Sequence, residues 1–459
     1  MAEEKTDLME KIVSLCKRRG FVFQASEIYG GMSGFWDFGP MGVELANNLK
    51  QLWWKKVVQE RANVFGVDGA IVQSPKLWEA SGHVAGFTDP LVDCKNCGAR
   101  HRADHLANTE STDIKELTEL LKDVACPTCG EQKLTAPRKY NMMMKTWVGP
   151  VEDDSSVAYL RPETAGSIFT NFSNVLDSMN PKLPFGIAQI GKAFRNEISP
   201  RDFIFRVREL EQMEVQYFVK PGTENEVYEE WRTFSWDFLT KELGIDEKNV
   251  EWHEHEENER AHYATAAHDI YFKFPQGFKE LWGTHNRTDF DLKSHIEHSG
   301  QKLTYFDEEK KEHVVPYVVE SSVGVGRMFL ATLVDAYRED ELGGEKRVYL
   351  ALKPSIAPVK AMVSPLLRNK PELVAKAREV YDSLKKEIPQ IAWDDNGNVG
   401  KRYRRQDEIG TPFCITIDFD TLGENPELLN TVTIRDRDTG EQERLSIEDA
   451  IKKVVEAVR

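Results

Sequence analysis

Arginine and glutamate side chains are concentrated beside apolar stretches in three segments of this sequence, residues 160–169, 191–218 and 320–337. Guanidinium groups bind phosphate oxygens through paired hydrogen bonds, whereas carboxylates bind ammonium groups or Mg²⁺. A site that combines both would suit a polyphosphate together with a small cationic group. The alternative is a solvated sheet face that is covered with salt bridges and binds no ligand. The recurrence of the pattern in three segments favours a ligand site.

The middle segment contains the densest group of these side chains. Residues 185–194 read as an apolar strand that leads into Arg195, and a second strand is expected to begin near Phe203 after a polar loop. This hairpin would carry guanidinium groups at both ends of its loop. Phe205 offers a flat face on which a purine base can stack. The acids that alternate farther along suit Mg²⁺ or an ammonium group, and they are Glu209, Glu211 and Glu214.

The third segment supplies glycines and a further arginine. A strand ends at Ser321-Ser322, turns at Gly324 and Gly326, and enters a helix that carries Arg327. Glycines at such a turn let the backbone approach a ligand closely, which a side chain would prevent. The segment therefore adds a second cationic group to the expected polyphosphate site.

Four of the six cysteines form two Cys-x-x-Cys pairs, Cys94 with Cys97 and Cys126 with Cys129. Each pair lies in a polar turn with Gly or Pro, which places two thiolates on one side of a tight loop. Two such turns supply four ligands and leave no open position, so the sequence predicts a structural zinc site. A thioredoxin-like redox site would instead be one pair beside a βαβ unit.

The composition excludes several classes of protein. The 459 residues are 40% hydrophobic and 30% charged, which is typical of a folded globular chain and not of a disordered or collagen-like one. No apolar run approaches the ~18 residues of a membrane-spanning helix, and the first residues lack the pattern of a secretory signal. We therefore expect a cytoplasmic protein with no membrane partner, in which Cys16 and Cys414 are core residues. The net charge of −16 argues against loose coating of nucleic acid but allows contact through a local basic face.

Hydrophobic periodicity indicates the elements that would position these groups. An amphipathic helix is predicted within residues 1–25 and a long helix over Val43–Val64. A short strand, residues 69–74, is expected to follow and to end at Pro75.

The second half of the chain divides at a glycine pair. Strands and helices are mixed from about residue 140 to residue 340, and Gly343-Gly344 reads as a domain junction. After it, strands and helices alternate, which is typical of a compact α/β domain.

In this order the segments resemble the three signature motifs of the class II aminoacyl-tRNA synthetases. Longer strings, among them SGFWDFGPMGVELANNLKQLWW, YLRPETAG, KELWGTHNRTDFDL and ESSVGVGR, resemble the dimeric glycyl-tRNA synthetases from about residue 10 to the C-terminus. The motif residues are Pro75 for motif 1; Arg195, Glu197, Arg201 and Phe205 for motif 2; and Gly324, Gly326 and Arg327 for motif 3.

The resemblance implies an α+β fold and a domain order. An antiparallel-sheet catalytic domain would take residues 1–90 and 136–342, a small zinc-binding insertion residues 91–135, and a C-terminal α/β anticodon-binding domain residues 345–459. It implies activation of glycine with ATP to glycyl-adenylate and transfer of glycine to the 3′ end of tRNA(Gly). It also implies Mg²⁺, a structural Zn²⁺ and a homodimer formed through the motif 1 region.

The resemblance assigns roles to individual residues. Arg195 would hold the α-phosphate, Phe205 would stack under adenine and Arg327 would hold the γ-phosphate, and Arg195, Glu197 and Arg327 would be catalytic. The expected ATP-binding residues are Arg195, Asn196, Glu197, Phe205, Arg206, Val207, Arg208, Glu209, Leu210, Glu280, Leu281, Gly324, Val325, Gly326 and Arg327. The expected glycine-binding residues are Arg102, Glu163, Leu210, Glu211, Gln212, Met213, Glu214, Glu320, Ser321, Ser322, Val323 and Gly324.

Two departures from the family pattern affect the expected glycine pocket. Residues 165–167 read Ala-Gly-Ser where relatives commonly have Ala-Gln-Gly, and Leu210 stands where they have Phe. Neither change removes a charged group, so activity is expected to survive. The alternatives are a non-catalytic accessory subunit and a synthetase for another amino acid, and the charged motif residues and the longer strings argue against both.

Two further strings invite a functional interpretation. Residues 401–405, KRYRR, place four cations and one aromatic side chain together, which suits a phosphate-contact patch or, more simply, a solvated turn. Residues 252–264 are rich in His and Glu, but the residue four positions after His253 is Glu257, so they are not a His-Glu-x-x-His zinc motif. The family resemblance implies a helix for the latter string.

Overall fold

The computed structural model describes residues 2–109, 111–255 and 266–458 of this chain. Its strands are β1 (Val22–Gln24), β2 (Trp36–Phe38), β3 (Val64–Gly66), β4 (Val72–Gln73), β5 (Thr88–Asp93), β6 (Arg100–Arg102), β7 (Arg138–Asn141), β8 (Met144–Trp147), β9 (Val157–Leu160), β10 (Phe185–Phe194), β11 (Glu209–Val219), β12 (Val250–Glu254), β13 (Ala266–Phe274), β14 (Gly277–Thr288), β15 (Tyr305–Asp307), β16 (Glu312–Val314), β17 (Tyr317–Gly324), β18 (Tyr337–Leu342), β19 (Glu345–Leu350), β20 (Ala361–Pro365), β21 (Ile391–Trp393), β22 (Phe413–Ile417), β23 (Thr431–Asp436) and β24 (Gln442–Ser446).

Helices cover the sheets and connect their strands. They are α1 (Ala2–Arg19), α2 (Pro40–Trp54), α3 (Pro75–Ala80), α4 (His83–Gly86), α5 (Ala103–Ala107), α6 (Ile114–Leu120), α7 (Ala165–Thr170), α8 (Phe172–Met179), α9 (Glu224–Asp237), α10 (Phe290–Ser299), α11 (Val325–Ala336), α12 (Pro371–Glu387), α13 (Val399–Ile409) and α14 (Ile447–Val458). Within the described ranges, no helix is both long enough and apolar enough to span a membrane.

A seven-stranded sheet forms the centre of the molecule, in the order β12-β13-β14-β17-β11-β10-β3. Its strands are antiparallel except for the edge pair β10 and β3, which is parallel. Helices α2, α9 and α11 bury their apolar sides against this sheet, with Leu49, Trp231 and Phe329 fully enclosed. The predicted α+β class with an antiparallel central sheet is confirmed.

The long helix predicted over Val43–Val64 is shorter than expected at its C-terminal end. Helix α2 begins at Pro40, where the fixed φ of proline favours a first helical position, and it continues into a π-helical turn over Lys55–Gln59. Val64 lies in β3 instead, because the backbone there pairs with Gly186 of β10. The strand predicted at residues 69–74 is reduced to β4, which pairs with β9 outside the central sheet.

The second strand of the motif 2 hairpin begins at Glu209 and not near Phe203 as predicted. Residues 201–206 form a separate turn, closed by a bridge between Arg201 and Arg206. Asp202 and Phe203 have φ angles of 58° and 57°, and this left-handed backbone cannot continue a strand. The polar loop therefore folds back over the sheet before β11 begins.

The C-terminal region contains a five-stranded sheet in the order β21-β20-β22-β23-β24, covered by α12 and α14. Gly343-Gly344 turns the hairpin between β18 and β19, so the strand after the glycine pair returns along the preceding one. Cys16 and Cys414 are fully buried, as predicted. Of the His- and Glu-rich string, residues 252–254 belong to β12 and not to a helix, whereas residues 256–264 lie outside the described residues.

Helix α2 connects the central sheet with the C-terminal region. The amide of Asn48 donates hydrogen bonds of 3.0 Å to the carbonyl oxygens of both Ile356 and Ala357. Gln390 Nε2 donates to Asn48 Oδ1 and to Glu44 Oε2, each at 2.9 Å. These buried and half-buried contacts hold the two regions together through side chains of one helix.

Candidate active site

A cavity of about 1230 Å³ opens above the central sheet. Strands β10, β11, β14 and β17 form its floor, the first turn of α11 closes one end, and α2 and β2 form a side wall. Side chains along a strand alternate between the two faces of a sheet, so residues two apart on these strands reach the same space. The cavity therefore gathers side chains from all three charged segments of the sequence.

Arg195 and Arg206 reach the cavity from the two ends of the motif 2 loop. The Arg195 backbone N–H donates to Arg208 O at 2.9 Å, which closes the hairpin, and its Nε donates to Pro162 O at 3.0 Å. Arg206 Nη1 lies 3.6 Å from Glu197 Oε2. Anchoring of Arg195 through Nε leaves its guanidinium plane fixed beside the cavity, as an anion site requires.

Arg327 lies in the first turn of α11 and lines the cavity beside the motif 2 loop. Its Nη1 is 3.1 Å from both the backbone carbonyl oxygen and Oε1 of Glu280. The guanidinium carbon is 4.5 Å from the ring centre of Phe205, which is within cation–π range. The aromatic face predicted to bind a base is therefore covered by Arg327 in this structure.

Three carboxylates meet deep in the cavity, from segments distant in sequence. Glu214 accepts hydrogen bonds of 2.5 Å from Thr164 Oγ1 and Gln216 Nε2. Glu320 Oε2 accepts from Gln216 Nε2 at 2.8 Å and from Arg287 Nη1 at 2.7 Å.

The third carboxylate, Glu163, lies 3.4 Å from His83 Nε2. Burial opposes its ionisation, but His83 and Arg287 together hold its pKa below the ordinary value. Burial, together with the negative charges of the neighbouring Glu320 and Glu163, raises the pKa of Glu214 to about 8. The cluster thus combines ionised carboxylates with one that is neutral at pH 7, a combination suited to a small cation.

The acids nearer the mouth of the cavity each have a basic partner. Glu209 Oε1 is 2.7 Å from Lys192 Nζ, and Glu211 Oε2 is 3.1 Å from Lys50 Nζ. Oxygen ligands of this kind are those that Mg²⁺ prefers. Arg102 stands at the edge, held by Asp89 at 2.8 Å and by Asp104 at 2.5 Å.

Most of the sequence-predicted residues line the cavity, but four do not. Met213 is fully buried in the core beneath the sheet, and Ser321 is buried where it accepts a hydrogen bond from Trp282 Nε1. Arg208 turns away to donate to the backbone oxygens of Glu197 and Ser33. Asn196 is absent from the lining and donates its backbone N–H to Met142 O. For Met213 and Ser321 the cause is strand alternation, because neighbours in sequence face opposite sides.

Sequence reasoning missed several residues that line the cavity. Lys50 reaches it from α2, and His285 and Arg287 reach it from β14. The last two lie in the string KELWGTHNRTDFDL, whose family resemblance was the one available signal. No spacing relates them to Glu320, because β14 and β17 become neighbours only in the folded sheet.

The four paired cysteines meet in one cluster, outside the cavity. Cys94 Sγ lies 3.6 Å from Cys129 Sγ, and Cys97 Sγ lies 3.8 Å from Cys126 Sγ. All four sulfur atoms lie within 4.8 Å of one another. Four thiolates bound at ~2.3 Å to a tetrahedral ion would be about 3.8 Å apart, so the cluster fits Zn²⁺.

Family models match both halves of the fold. The model described as tRNA synthetase class II core domain (G, H, P, S and T) matches residues 150–337, and the model described as anticodon binding domain matches residues 360–457. The first match spans β10, β11, β14, β17 and α11, which carry most of the cavity.

Full-length relatives are similar along the whole chain. The glycine–tRNA ligases of Clostridium acetobutylicum and Clostridium tetani are 49% and 50% identical to it, and each alignment covers 100% of both chains. The glycine–tRNA ligase of Treponema denticola is 49% identical over 97% of this chain and 96% of its own. With this identity over its full length and with a class II core built around the cavity, the chain belongs to the glycine–tRNA ligase family.

Proposed function

We propose that this chain activates glycine with ATP to form glycyl-adenylate and pyrophosphate and then transfers glycine to the 3′ end of its tRNA. The observation that carries this proposal is that guanidinium groups and a buried carboxylate cluster line the same cavity. Such a cavity suits a polyphosphate and an amino group at the same time. Neither step requires a protein nucleophile, so positioning and electrostatic stabilisation account for catalysis.

The proposed catalytic residues are Arg195, Glu197 and Arg327. Arg195 holds the α-phosphate, and Arg327 holds the γ-phosphate at the other end of the polyphosphate. Phe205 stacks under adenine once the Arg327 guanidinium moves outward from the ring that it covers. Glu197 orients Arg206, its partner at 3.6 Å.

The proposed glycine site is the buried carboxylate cluster. Glu163, Glu214 and Glu320 surround the ammonium group, and Ser322 and Arg102 complete the site. Arg102 is the one group in this set that comes from the segment containing the cysteines, and its two carboxylate partners fix it at the cavity edge. A closely walled cluster favours glycine because every other amino acid is larger.

Mg²⁺ and Zn²⁺ are the proposed metals. The acids near the mouth, Glu209, Glu211 and Glu280, would hold Mg²⁺, which supplies charge neutralisation for the phosphates. The cluster of Cys94, Cys97, Cys126 and Cys129 would hold Zn²⁺ in a closed, structural site.

We also propose the domain division expected from the sequence: a catalytic domain of residues 1–90 and 136–342, an insertion of residues 91–135 and an anticodon-binding domain from residue 345. Arg347 on β19 supports the last boundary, because its Nη1 donates to Arg437 O at 2.6 Å and lies 3.7 Å from Asp407. The proposed location is cytoplasmic.

A homodimer through the motif 1 region is supported by Ile71 and Val72, which remain 38% and 42% exposed in one protomer. Sedimentation equilibrium at the mass of a single chain would contradict the dimer.

Glycine-dependent ATP–pyrophosphate exchange, measured with each of the twenty amino acids, tests the proposed function. We expect exchange with glycine alone and a loss of more than ~10²-fold in Arg195→Ala, which is the effect of removing one such electrostatic stabiliser. Arg100→Ala is the control, because the Arg100 side chain is 71% exposed and lies outside the cavity lining. Near-normal exchange in Arg195→Ala would contradict the proposed role of this arginine.

A further inference from the structure

His285 lies between two buried carboxylates at the inner end of the cavity. Its Nδ1 is 3.2 Å from Glu320 Oε1, and its Nε2 is 3.3 Å from Asp269 Oδ1. A carboxylate oxygen can only accept, so both ring nitrogens must donate, and only the imidazolium form carries a proton on each. The geometry therefore points to a charged histidine.

The surrounding charges agree with this assignment. Burial alone would lower the pKa of His285, but its hydrogen bonds to Asp269 and Glu320 outweigh burial and raise it to about 10. Asp269 is itself bound on its other oxygen by His255 Nε2 at 2.7 Å. The Asp269 carboxylate is thus held from two sides and fixes the imidazole ring in turn.

Gly283 has no side chain, and this leaves room for His285 and Asp269. It lies two residues before His285 on β14, and therefore on the same face of the sheet. A Cβ atom at position 283 would be 2.9 Å from His285 Cε1 and 3.1 Å from Asp269 Oδ1. Any other residue at this position would push the imidazole or the carboxylate out of place.

Glu320 is fixed on both of its oxygens. Oε2 accepts from Arg287 and Gln216, whereas Oε1 faces His285 and, at 3.4 Å, Ser322 Oγ. Without the imidazolium, only one edge of the carboxylate would be held by a cation, and the other would turn or recruit water. Asp269 does not line the cavity, so it reaches this carboxylate only through His285.

Resting on the proposed glycine activation, we propose that His285, clamped by Asp269, is a positioning residue that fixes Glu320 Oε1 for the ammonium group of glycine. Neither His285 nor Asp269 exchanges a proton or touches the reacting phosphorus. Their effect is on the affinity for the amino acid and not on the chemical step.

The test uses His285→Gln, Asp269→Asn and the double variant of the full-length enzyme. ATP–pyrophosphate exchange gives kcat, the KM for glycine and the KM for ATP, and thermal unfolding reports the fold. His295→Gln is the control, since it makes the same change in a histidine that is 6% exposed on α10 and lies outside the cavity lining. We expect each single variant to raise the glycine KM about tenfold while kcat and the ATP KM stay within about twofold. The double variant should be no worse than either single variant, because the two residues act as one unit.

Each other outcome is decisive. A glycine KM within twofold of the wild type in both folded single variants overturns the proposal, and so does an equal rise in the KM for ATP. Unfolding of both variants assigns the pair to fold stability and overturns the positioning role. A wild-type enzyme without glycine-dependent exchange would contradict the proposed function itself, independently of the variants.

Discussion

Glu214 is a buried carboxyl group whose surroundings oppose its ionisation. It is 2% exposed, and burial followed by the charges of Glu320 and Glu163 raises its pKa from 4.5 to about 8. The folded state therefore favours the protonated form, and the stability that this form contributes is present below pH 4.5 and is lost as the pH rises through about 8. At pH 7 the cavity without substrate holds a neutral acid beside two ionised ones.

This neutral acid predicts that glycine binding releases a proton. The ammonium group would favour the ionised form of Glu214, so glycine affinity should rise by up to about tenfold per pH unit below pH 8 and level off above it. Calorimetry at pH 7 in two buffers with different ionisation enthalpies measures the release directly. Glu214→Gln should abolish the buffer dependence, and an unchanged dependence in that variant would contradict the assignment to Glu214.

At the level of single residues, the sequence predicted which side chains could bind a ligand better than it predicted which side chains meet in the fold. The guanidinium groups and acids of motifs 2 and 3 could be predicted from residue type and spacing, because each motif is local. His285 and Lys50 could not, because their partners Glu320 and Glu211 lie 35 and 161 positions away in sequence. Such pairs arise from strand order and helix docking, which no local pattern encodes.

The KRYRR string shows how an element changes the meaning of its residues. It lies in helix α13 and not in a solvated turn, and Arg402 is only 2% exposed. Its guanidinium donates to Ser364 Oγ at 2.6 Å and to the carbonyl oxygens of Pro365, Asp395 and Gly397 at 2.5, 3.0 and 2.7 Å. Arg402, one of the four cations in this string, therefore links α13 to the end of β20 and to the loop that precedes α13.

We predict that Arg402→Ala destabilises the protein by about 3 kcal/mol, because it leaves buried carbonyl oxygens without donors. Lys401→Ala on the exposed side of the same helix should change stability by less than about 0.5 kcal/mol. Denaturant unfolding of the full chain measures both. Equal stabilities of the two variants would contradict the structural role assigned to Arg402.

At the level of elements, long strands with consistent apolar patterns were predictable and irregular segments were not. Strand β10 matches its predicted bounds. The late start of β11 was missed because Asp202 and Phe203 adopt a left-handed backbone that usually requires glycine. Without a glycine at either position, the sequence gives no sign of the turn. The end of α2 was missed because its apolar pattern continues through the π-helical turn into β3.

The four-cysteine cluster and the cavity are connected through one small sheet. Strands β5, β6 and β7 form a small sheet of their own, and Arg102 at the end of β6 reaches the cavity. Gly98 and Gly130, at φ of 72° and 75°, close the two turns by donating to the carbonyl oxygens of Cys94 and Cys126. These turns set the geometry of all four thiolates.

We predict one zinc ion per chain and its loss in Cys97→Ser. Atomic absorption measures the metal content, and limited proteolysis should then cut within residues 91–135, because the small sheet loses the bonds that hold its turns. Cys16→Ala is the control, as it removes a cysteine outside the cluster and should retain the zinc. Full zinc content in Cys97→Ser would contradict the four-cysteine site.

Helix α2 contacts both the cavity and the C-terminal region. One of its faces borders the cavity through Ala46, Asn47 and Lys50, and Asn48 on the same helix binds the segment that leads into the C-terminal sheet. If the proposed function is correct, the distance between the cavity and the C-terminal sheet is set by contacts to one helix and not by a flexible linker. We expect the enzyme to discriminate tRNAs by their length as well as by their bases. An acceptor arm lengthened by one base pair would place the 3′ end away from the cavity even when the anticodon is bound correctly.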